Sequence, residues 1–380
     1  MAGGTGGHIF PALATAQILH DQGVHIEWLG TKKGLESKLV PEHQYPINYI
    51  DIGGVRGKNL ATRLLLPFKL MRALGQTLVV YYQVKPDVVL GMGGFVTGSG
   101  GVVAWLLRKP LVLHEQNAIA GLTNSLLFKL AKNVYTAFPK AFLEHKKLTV
   151  VGNPVRRDIT QIAPPKERLT TKWAGIKNKQ LNILVIGGSL GATILNEVLP
   201  QALESIARKQ ALPSSCFETT SFETIRVRHQ CGANNVSQTR DNYQWLKGSN
   251  PFINVEIMPF IDDMAKNYEW ADCLICRSGA LTVSEIASVG IASILVPYAH
   301  AVDDHQTANA NYLVNEDAAF LIPQRDLDAQ KLAQLLMTMN QEKLLTMAIK
   351  ARQLAKNNAA EMVAEKCLYL AGSDKVITDK

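Results

Sequence analysis

Short apolar runs alternate along the chain with longer segments whose apolar positions recur at helical spacing. The short runs predict buried strands, and the helical spacing predicts amphipathic helices. Their alternation predicts parallel sheets covered by helices on both faces. The expected strands are Val24–Leu29, Ile47–Ile52, Asp87–Met92, Leu111–Glu115, Asn133–Ala137 and Leu148–Val151, then Asn182–Ile186, Thr224–His229, Asn254–Met258, Asp272–Cys276, Ala292–Pro297 and Ala318–Ile322. The clearest helices are Phe10–Asp21, Ala61–Tyr82, Ala192–Arg208, Ala280–Val289, Leu327–Met339, Lys343–Ala355 and Ala360–Ala371.

The two sets of strands predict two α/β domains, which 380 residues can accommodate. We assign residues 1–158 to the first domain and 181–358 to the second. Residues 159–180 carry Pro164-Pro165 and many charges with little apolar periodicity, so we interpret them as a linker. The helix within 359–380 is expected to pack back on the first domain.

Two places depart from this pattern. A domain of this type usually begins with a strand that feeds its first glycine loop, whereas here the glycine loop opens the chain, so we interpret the start as truncated or misassigned. Residues 212–224 have loop composition where a short turn is usual, and we interpret them as a surface insertion.

Composition places the chain among globular proteins, with 47% hydrophobic and 19% charged residues. No apolar run reaches about 18 residues and no basic-then-apolar leader is present, so we predict neither a transmembrane helix nor a signal peptide. The five cysteines lack framework spacing, which fits a reducing compartment. Cys273 and Cys276 lie three residues apart on a predicted strand and point to opposite faces, so we predict no metal there.

The net charge of +8 is uneven, because residues 1–160 hold 18 Lys and Arg against 9 Asp and Glu. A basic first half favours an anionic partner, either nucleic acid or an anionic membrane. Within it, Leu60–Leu74 mixes leucines and Phe68 with Arg63, Lys69 and Arg72. This composition suits a membrane interface, although composition alone slightly favours an ordinary core-packing helix.

Two glycine-rich turns, GGTGGH at residues 3–8 and GGSLGA at 187–192, stand at the starts of predicted helices about half a chain apart. Such turns let backbone N–H groups approach an anion at a helix N-terminus, though a simple tight turn remains the alternative. Their pairing predicts two nucleotide-type halves facing a cleft. His8 lies at the mouth of the first turn, where its side chain could deprotonate a hydroxyl or merely cap the helix.

Other polar groups follow predicted strands, where parallel sheets bind ligands. They include the glycine cluster Gly91–Gly101, the sequence HEQN at 114–117, and Asp303–Gln306. Arg277–Glu285 follows another strand and opens a helix, with Ser278 as a possible N-cap. Glu285 could accept both hydroxyls of a ribose, or it could simply be an exposed helical carboxylate.

Seven ordered motifs together resemble the MurG family of cell-wall glycosyltransferases over residues 1 to about 370. They are MAGGTGGH (1–8), GMGGFVTG (91–98), HEQN (114–117), GNPVR (152–156), GGSLGA (187–192), FIDDM (260–264) and RSGALTVSE (277–285). The resemblance implies an α/β GT-B fold, in which two Rossmann-like parallel-sheet domains face a cleft. It also implies an inverting transfer of GlcNAc from UDP-GlcNAc to lipid I (undecaprenyl-pyrophosphoryl-MurNAc-pentapeptide), which gives lipid II for peptidoglycan synthesis, cell shape and division.

The resemblance also implies roles for individual residues. His8 matches a residue associated with catalysis, with His114 or Glu115 as alternative bases. No metal or other cofactor is expected, and helix-dipole stabilisation of the leaving diphosphate replaces a cation. Donor contacts are implied for Thr5, Gly6, Gly7, Asn117, Arg156, Ser189, Ile261, Ala280, Leu281, Thr282, Val283, Ser284, Glu285 and Gln306.

For the first domain, the resemblance implies peripheral attachment to the cytoplasmic face of the bacterial inner membrane, with no nucleic-acid partner. The expected membrane-facing residues are Leu64, Leu65, Phe68, Lys69, Met71 and Arg72. Two residues depart from the family pattern: Leu190 stands where Gln is usual, and Phe95 where Tyr is common.

Three alternatives remain open at this point. One is another UDP-sugar transferase that acts on a lipid acceptor, for example with UDP-galactose and diacylglycerol. Another is a truncated, inactive nucleotide-binding homologue. A nicotinamide oxidoreductase is the least favoured, because no acidic residue follows the first glycine loop as a dinucleotide fingerprint requires.

Overall fold

The computed structural model describes residues 1–53, 66–174, 179–188, 191–210, 221–246, 251–299, 301 and 304–372. The chain divides into two compact units, Met1–Arg156 with Lys356–Lys380 (unit 1) and Arg157–Ala355 (unit 2). The second unit is therefore inserted into the first.

Unit 1 contains six strands and six helices among its described residues. The strands are β1 (Trp28–Gly30), β2 (Ile47–Tyr49), β3 (Val89–Gly91), β4 (Leu111–Glu115), β5 (Asn133–Thr136) and β6 (Leu148–Val150). The helices are α1 (Gly6–Asp21), α2 (Glu36–Glu42), α3 (Leu66–Val84), α4 (Phe95–Leu106), α5 (Leu122–Leu127) and, from the far end of the chain, α15 (Ala359–Gly372).

The strands of unit 1 form two parallel sheets, whereas the sequence pattern predicts one. Strands β3-β4-β5-β6 form a sheet in that order, and β1 pairs only with β2. Met1 and Ala2 lie between the two sheets: the Met1 ammonium donates to the Leu90 carbonyl (2.8 Å), and the Trp28 indole N–H donates to the Ala2 carbonyl (2.9 Å). Because these two residues provide too few backbone groups to form a ladder, they bridge the sheets without joining them.

Unit 2 is built on one fully parallel six-stranded sheet in the order β12-β11-β10-β7-β8-β9. The strands are β7 (Gln180–Ile186), β8 (Thr224–Gln230), β9 (Ile253–Met258), β10 (Cys273–Cys276), β11 (Ala292–Leu295) and β12 (Ala319–Leu321). The helices are α6 (Arg157–Thr160), α7 (Pro165–Ala174), α8 (Thr193–Gln210), α9 (Val236–Asn242), α10 (Met264–Trp270), α11 (Ala280–Val289), α12 (His305–Val314), α13 (Ala329–Met337) and α14 (Gln341–Gln353). Its core is aliphatic, including Leu181, Ile183, Leu195, Ile275 and Ile294.

The segment 159–180 is not the linker that the sequence pattern predicts. Most of it lies in α6 and α7, and Arg168 of α7 is buried with its guanidinium donating to the carbonyls of Ala271 (3.2 Å) and Gly290 (2.7 Å). Lys172 of the same helix forms a salt bridge with the buried Asp272. These charged residues fix α7 to unit 2, which begins at Arg157 rather than at residue 181.

Unit 1 resumes at Lys356, three residues before the expected boundary at residue 359. Helix α14 belongs to unit 2, whereas α15 packs against α1 in unit 1, where Val363, Cys367 and Leu370 share a core cluster with Leu19 of α1. Most of the expected insertion 212–224 falls outside the described residues. At its described end, Ser221 and Glu223 are exposed, Phe222 is buried in the core of unit 2, and Thr224 begins β8.

No helix among the described residues has the length and apolar character needed to span a bilayer.

Candidate functional site

The first glycine loop of unit 1 leads directly into α1. Thr5 is the N-cap residue with an exposed side chain, and Gly6 and Gly7 form the first turn of the helix. The helix therefore begins earlier than the start near Ile9 that the sequence pattern predicts. The Thr5 side chain forms no capping hydrogen bond, so it does not cover the positive end of this helix.

A buried carboxylate lies behind this loop. Glu36, at the start of α2, is fully buried. One of its oxygens accepts from the N–H of Gly4 (3.0 Å), and the other accepts from both the N–H (2.9 Å) and the hydroxyl (2.7 Å) of Thr31. Glu36 thus ties the glycine loop to the end of β1. No sequence pattern identifies Glu36 as a buried residue, because its neighbours in KKGLESK are typical of a solvated helix start.

His8 lies in the first turns of α1, against residues that follow β3 and β4. Its Nδ1 is 2.9 Å from the Oε1 atom of Gln116. A Cβ atom on Gly93 would lie 2.8 Å from the His8 ring, and Gly93 has a φ of 99°. Glycine at position 93 therefore makes room for the imidazole, which explains part of the glycine cluster after β3.

The alternative bases His114 and Glu115 are wrong, because both are buried and engaged by neighbouring groups. Burial lowers the pKa of His114 to about 4, and its Nε2 is 2.9 Å from the Gly152 carbonyl. The Glu115 carboxylate accepts from the backbone N–H groups of Asn117 (2.9 Å) and Gly121 (3.1 Å) and from the Asn124 amide (2.8 Å). Glu115 therefore shapes the turn that follows β4, and its oxygens do not face an open site.

Asn117 and Arg156 are both partly exposed in unit 1. Asn117 follows β4 directly, and its backbone is held by Glu115. The Arg156 guanidinium lies 5.9 Å from the centre of the Phe10 ring on α1. Unit 1 thus gathers Thr5, Gly6, Gly7, His8 and Arg156 around the start of α1.

In unit 2, the second glycine turn follows β7 and is held from β8. The Gln230 side chain donates to the Gly188 carbonyl (3.0 Å). Gly191 has a φ of 76° and packs so closely on the Cys231 carbonyl that any side chain there would collide with it. Asn196 of α8 and Asn235 both donate to the same Cys231 carbonyl, each at 3.0 Å. Ser189 and Leu190, within this turn, lie outside the described residues.

Helix α11 follows β10, and its N-cap residue is Gly279 rather than Ser278. With no side chain at the cap, Gly279 itself contributes no side-chain hydrogen bond to the first turn, which contains Ala280, Leu281, Thr282 and Val283. Ser284 turns inward and donates to the Ala280 carbonyl (3.0 Å). Glu285, in the second turn, is 8% exposed and accepts from the buried Tyr268 hydroxyl of α10 at 2.8 Å.

The remaining predicted donor residues follow two other strands of unit 2, β9 and β11. Ile261 follows β9 and is buried. Gln306 lies in the first turn of α12, where its side-chain oxygen accepts from the Tyr298 backbone N–H (2.9 Å). Asp303 lies outside the described residues, and Asp304 bonds the Thr307 hydroxyl (2.7 Å). No group of three or more His, Cys, Asp or Glu side chains in the described part of the chain is arranged to hold a metal ion.

The expected membrane-facing segment is described only from residue 66 onward, and Leu64 and Leu65 lie outside it. On α3, Phe68 and Met71 are each 71% exposed, and Lys69 is exposed as well. Arg72 is exposed but paired, since its guanidinium bonds the Asp51 carboxylate at 2.7 Å. Val79 and Tyr82 continue the exposed apolar face, whereas Ala73 and Tyr81 on the other face are buried. Helix α3 therefore packs on the core of unit 1 and also exposes apolar side chains.

Comparison with known proteins agrees with these features. The Glycosyltransferase family 28 N-terminal domain matches residues 1–136, and the Glycosyltransferase family 28 C-terminal domain matches residues 182–365. A relative from Burkholderia thailandensis, named UDP-N-acetylglucosamine--N-acetylmuramyl-(pentapeptide) pyrophosphoryl-undecaprenol N-acetylglucosamine transferase, is 49% identical over 374 residues, covering 98% of this chain and 96% of its own.

Solved structures agree in fold. The crystal structure of Acinetobacter baumannii MurG matches with a TM-score of 0.79 and 41% identity, covering 97% of this chain and 98% of that chain. UDP-GlcNAc 2-epimerase from Neisseria meningitidis bound to UDP-GlcNAc matches with a TM-score of 0.59 at 15% identity, covering 95% and 96% of the two chains, which is a likeness of fold alone. The resemblance that the seven motifs indicate is thus confirmed.

Proposed function

Since the chain belongs to glycosyltransferase family 28 and has its GT-B fold, we propose that it transfers N-acetylglucosamine from UDP-GlcNAc to lipid I, forming lipid II. The observation that carries this proposal is the 49% identity, over 98% of the chain, to a relative with that named activity. Unit 2 binds the donor and unit 1 binds the acceptor. The product is a precursor of peptidoglycan, so the enzyme acts in cell-wall synthesis.

Chemically, the MurNAc 4-hydroxyl attacks the anomeric carbon of the donor. The new C–O bond forms as the bond to the diphosphate breaks, UDP leaves with the bonding electrons, and the anomeric configuration inverts. His8 takes the hydroxyl proton, as its place in the first turns of α1 permits. The start of α11 stabilises the charge that develops on the diphosphate, since Gly279 leaves the positive end of this helix without a side-chain cap.

The ribose of the donor is held by Glu285, whose carboxylate is braced by Tyr268. Gln306, Ile261 and the start of α11 complete the donor contacts in unit 2, together with Ser189. Thr5–Gly7, Asn117 and Arg156 supply the contacts from unit 1. These assignments are supported by the motifs that resemble the family and by the position of the described residues after the strands of each sheet.

The direct test is a transfer assay with UDP-GlcNAc and a lipid I analogue. Formation of the β-linked disaccharide product is expected, and His8→Ala should lower kcat by about 100-fold or more while KM for UDP-GlcNAc changes less than a few-fold. The exposed His25→Ala is the matched control. Binding of UDP-GlcNAc without transfer would indicate an inactive homologue, and transfer of galactose from UDP-galactose to diacylglycerol would indicate a different enzyme.

For localisation, we propose peripheral attachment to the cytoplasmic face of the inner membrane through α3. Exposed apolar side chains next to Lys69 suit insertion among anionic headgroups, and no nucleic-acid partner is invoked. Sedimentation with vesicles containing anionic lipid tests this. The double variant Phe68→Ser, Met71→Ser should lose vesicle binding, whereas Tyr369→Ser on α15, which is 66% exposed, should retain it. Equal binding of the two variants would contradict attachment through α3.

A further inference from the structure

A chain of hydrogen bonds in unit 1 connects a backbone carbonyl to the imidazole of His8. The Gly152 carbonyl lies 2.9 Å from His114 Nε2. His114 Nδ1 lies 3.2 Å from Gln116 Nε2, and Gln116 Oε1 lies 2.9 Å from His8 Nδ1. Both His114 and Gln116 are almost completely buried, at 0% and 1% exposed, so water does not replace these partners.

The direction of every bond in this chain follows from its buried end. A carbonyl oxygen only accepts, so His114 must carry its proton on Nε2. Burial lowers the pKa of His114 to about 4, which leaves the ring neutral near pH 7. A neutral imidazole with a proton on Nε2 has a lone pair on Nδ1. His114 Nδ1 is therefore an acceptor and requires a donor from Gln116.

This requirement fixes the orientation of the Gln116 amide. Its NH₂ group must face His114, and the same nitrogen also lies 3.3 Å from the His114 carbonyl, a second group that only accepts. The amide oxygen must then face His8. Because an amide oxygen only accepts, the proton of His8 must be on Nδ1.

We propose that Gln116 is a positioning residue that holds His8 in the Nδ1–H tautomer, so that the Nε2 lone pair is the one that receives the proton of the acceptor hydroxyl. The inference rests on the proposed role of His8 as the base. Within the described residues, His8 Nε2 has no hydrogen-bond partner, which leaves it open to a substrate. Gln116 itself does not touch substrate, since it is buried and acts through His8.

The tautomer can be measured without any enzyme assay. In protein labelled with ¹⁵N-histidine, the neutral His8 ring should show a protonated Nδ1 and an unprotonated Nε2, with its signals assigned by comparison with His8→Gln. Gln116→Met removes the acceptor and should shift His8 toward the Nε2–H form. Gln116→Glu, when protonated in this buried position, keeps an O–H donor for His114 and an acceptor oxygen for His8, and should return the Nδ1–H form. Unchanged signals from histidines that do not contact Gln116, such as the buried His229, would establish that each variant is folded.

Kinetics with UDP-GlcNAc and a lipid I analogue then connect the tautomer to turnover. Gln116→Met should lower kcat by about 100-fold with KM for UDP-GlcNAc changed less than twofold, because only a base held in the wrong tautomer is affected. Gln116→Glu should recover at least tenfold of that loss. Equal losses of kcat in the two variants would overturn the proposal.

The two experiments also separate this inference from the proposed function. If His8 keeps the Nδ1–H form in Gln116→Met, the positioning role of Gln116 is wrong, whatever the effect of His8→Ala on turnover. If Gln116→Met changes the tautomer but leaves kcat unaltered, the geometric assignment stands and the role of His8 as the base is wrong.

Discussion

The hydroxyl of Tyr268 on α10 donates a 2.8 Å hydrogen bond to the carboxylate of Glu285 on α11. Tyr268 is 1% exposed and Glu285 is 8% exposed, so the bond lies inside unit 2. It joins α10, which precedes β10, to α11, which follows β10. It holds one oxygen of the Glu285 carboxylate in place. A residue in the interior of unit 2 thereby sets the geometry of a proposed donor ligand.

Tyr268→Phe should therefore weaken donor binding while leaving the fold intact. A hydrogen bond to a charged group contributes about 1.5–3 kcal/mol, so KM for UDP-GlcNAc should rise roughly tenfold or more, with a smaller effect on kcat. Tyr312→Phe is the matched control, because its hydroxyl bonds the Leu354 carbonyl at 2.7 Å on another face of unit 2. Equal KM values for the two variants would show that Glu285 does not depend on Tyr268.

Gly93→Ala should displace His8, the proposed base, without changing the imidazole itself. The added Cβ would lie 2.8 Å from the His8 ring, at a backbone φ of 99° that alanine rarely adopts. We expect His8 to be displaced from Gln116 and kcat to fall by about one to two orders of magnitude. Gly98→Ala is the control, since its Cβ would make an ordinary 3.6 Å contact with Thr123. Steady-state kinetics and a thermal melt would separate the loss of activity from a loss of folding.

Glu36→Gln should destabilise unit 1. One oxygen of the Glu36 carboxylate accepts from Gly4, and the other accepts from both donors of Thr31. The amide of the variant would have only one oxygen, so its NH₂ group would face an N–H group or a hydroxyl inside the protein. We expect the free energy of unfolding of unit 1 to fall by about 2 kcal/mol in urea titrations. The exposed Glu42→Gln on the same helix should change it by less than about 0.5 kcal/mol. A similar loss in both variants would contradict the bracing role of Glu36.

The stability of unit 2 should depend on pH through His229. Burial lowers its pKa to about 4, and its ring nitrogens bond the Tyr243 hydroxyl and the Asn196 amide oxygen, each at 3.0 Å. The unfolded chain binds this proton near pH 6.5, so stability is complete above that pH and is lost as the pH falls toward 4. The loss at pH 5 should be about 2 kcal/mol.

Urea titrations at pH 7.5 and 5.0 measure this dependence. His229→Gln retains one donor and one acceptor, so its free energy of unfolding should fall less between the two pH values than that of the unaltered protein. His20→Gln replaces an exposed histidine and should leave the difference unchanged. A His229→Gln variant that is as acid-sensitive as the original would assign the effect to other groups.

Much of unit 2 could be predicted from the sequence because its strands are continuous apolar runs. Helix α11 was predicted with both ends correct, since glycines flank it and Gly290 adopts the left-handed conformation that ends a helix, with a φ of 65°. The charged segment around Arg168, by contrast, suggests a linker and is in fact part of helix α7. Its polarity suggests solvent, but carbonyl groups at the ends of α10 and α11 accept from it inside the protein.

In unit 1, helix α4 was missed because its glycines disfavour helix. Gly101 is required there by packing, since a Cβ would lie 2.6 Å from Leu127, a contact between distant residues that no local pattern contains. The candidate site is limited in the same way, because contacts between distant residues cannot be predicted from local sequence patterns. The motifs include His8, Gln116 and Glu285 but not Tyr268. The bonds that join His8 to Gln116 and Tyr268 to Glu285, across 108 and 17 positions of the chain, emerge only from the structure.

The insertion of unit 2 into unit 1 has a consequence for biosynthesis. A ribosome delivers residues 157–355 before the helix that covers Leu19 of α1, at about 5–20 residues per second. In the nascent chain, the apolar surface around Leu19 therefore stays exposed for tens of seconds. The last packing step of unit 1 takes place after all of unit 2 has been translated, so of the two units the one whose synthesis begins first is completed last.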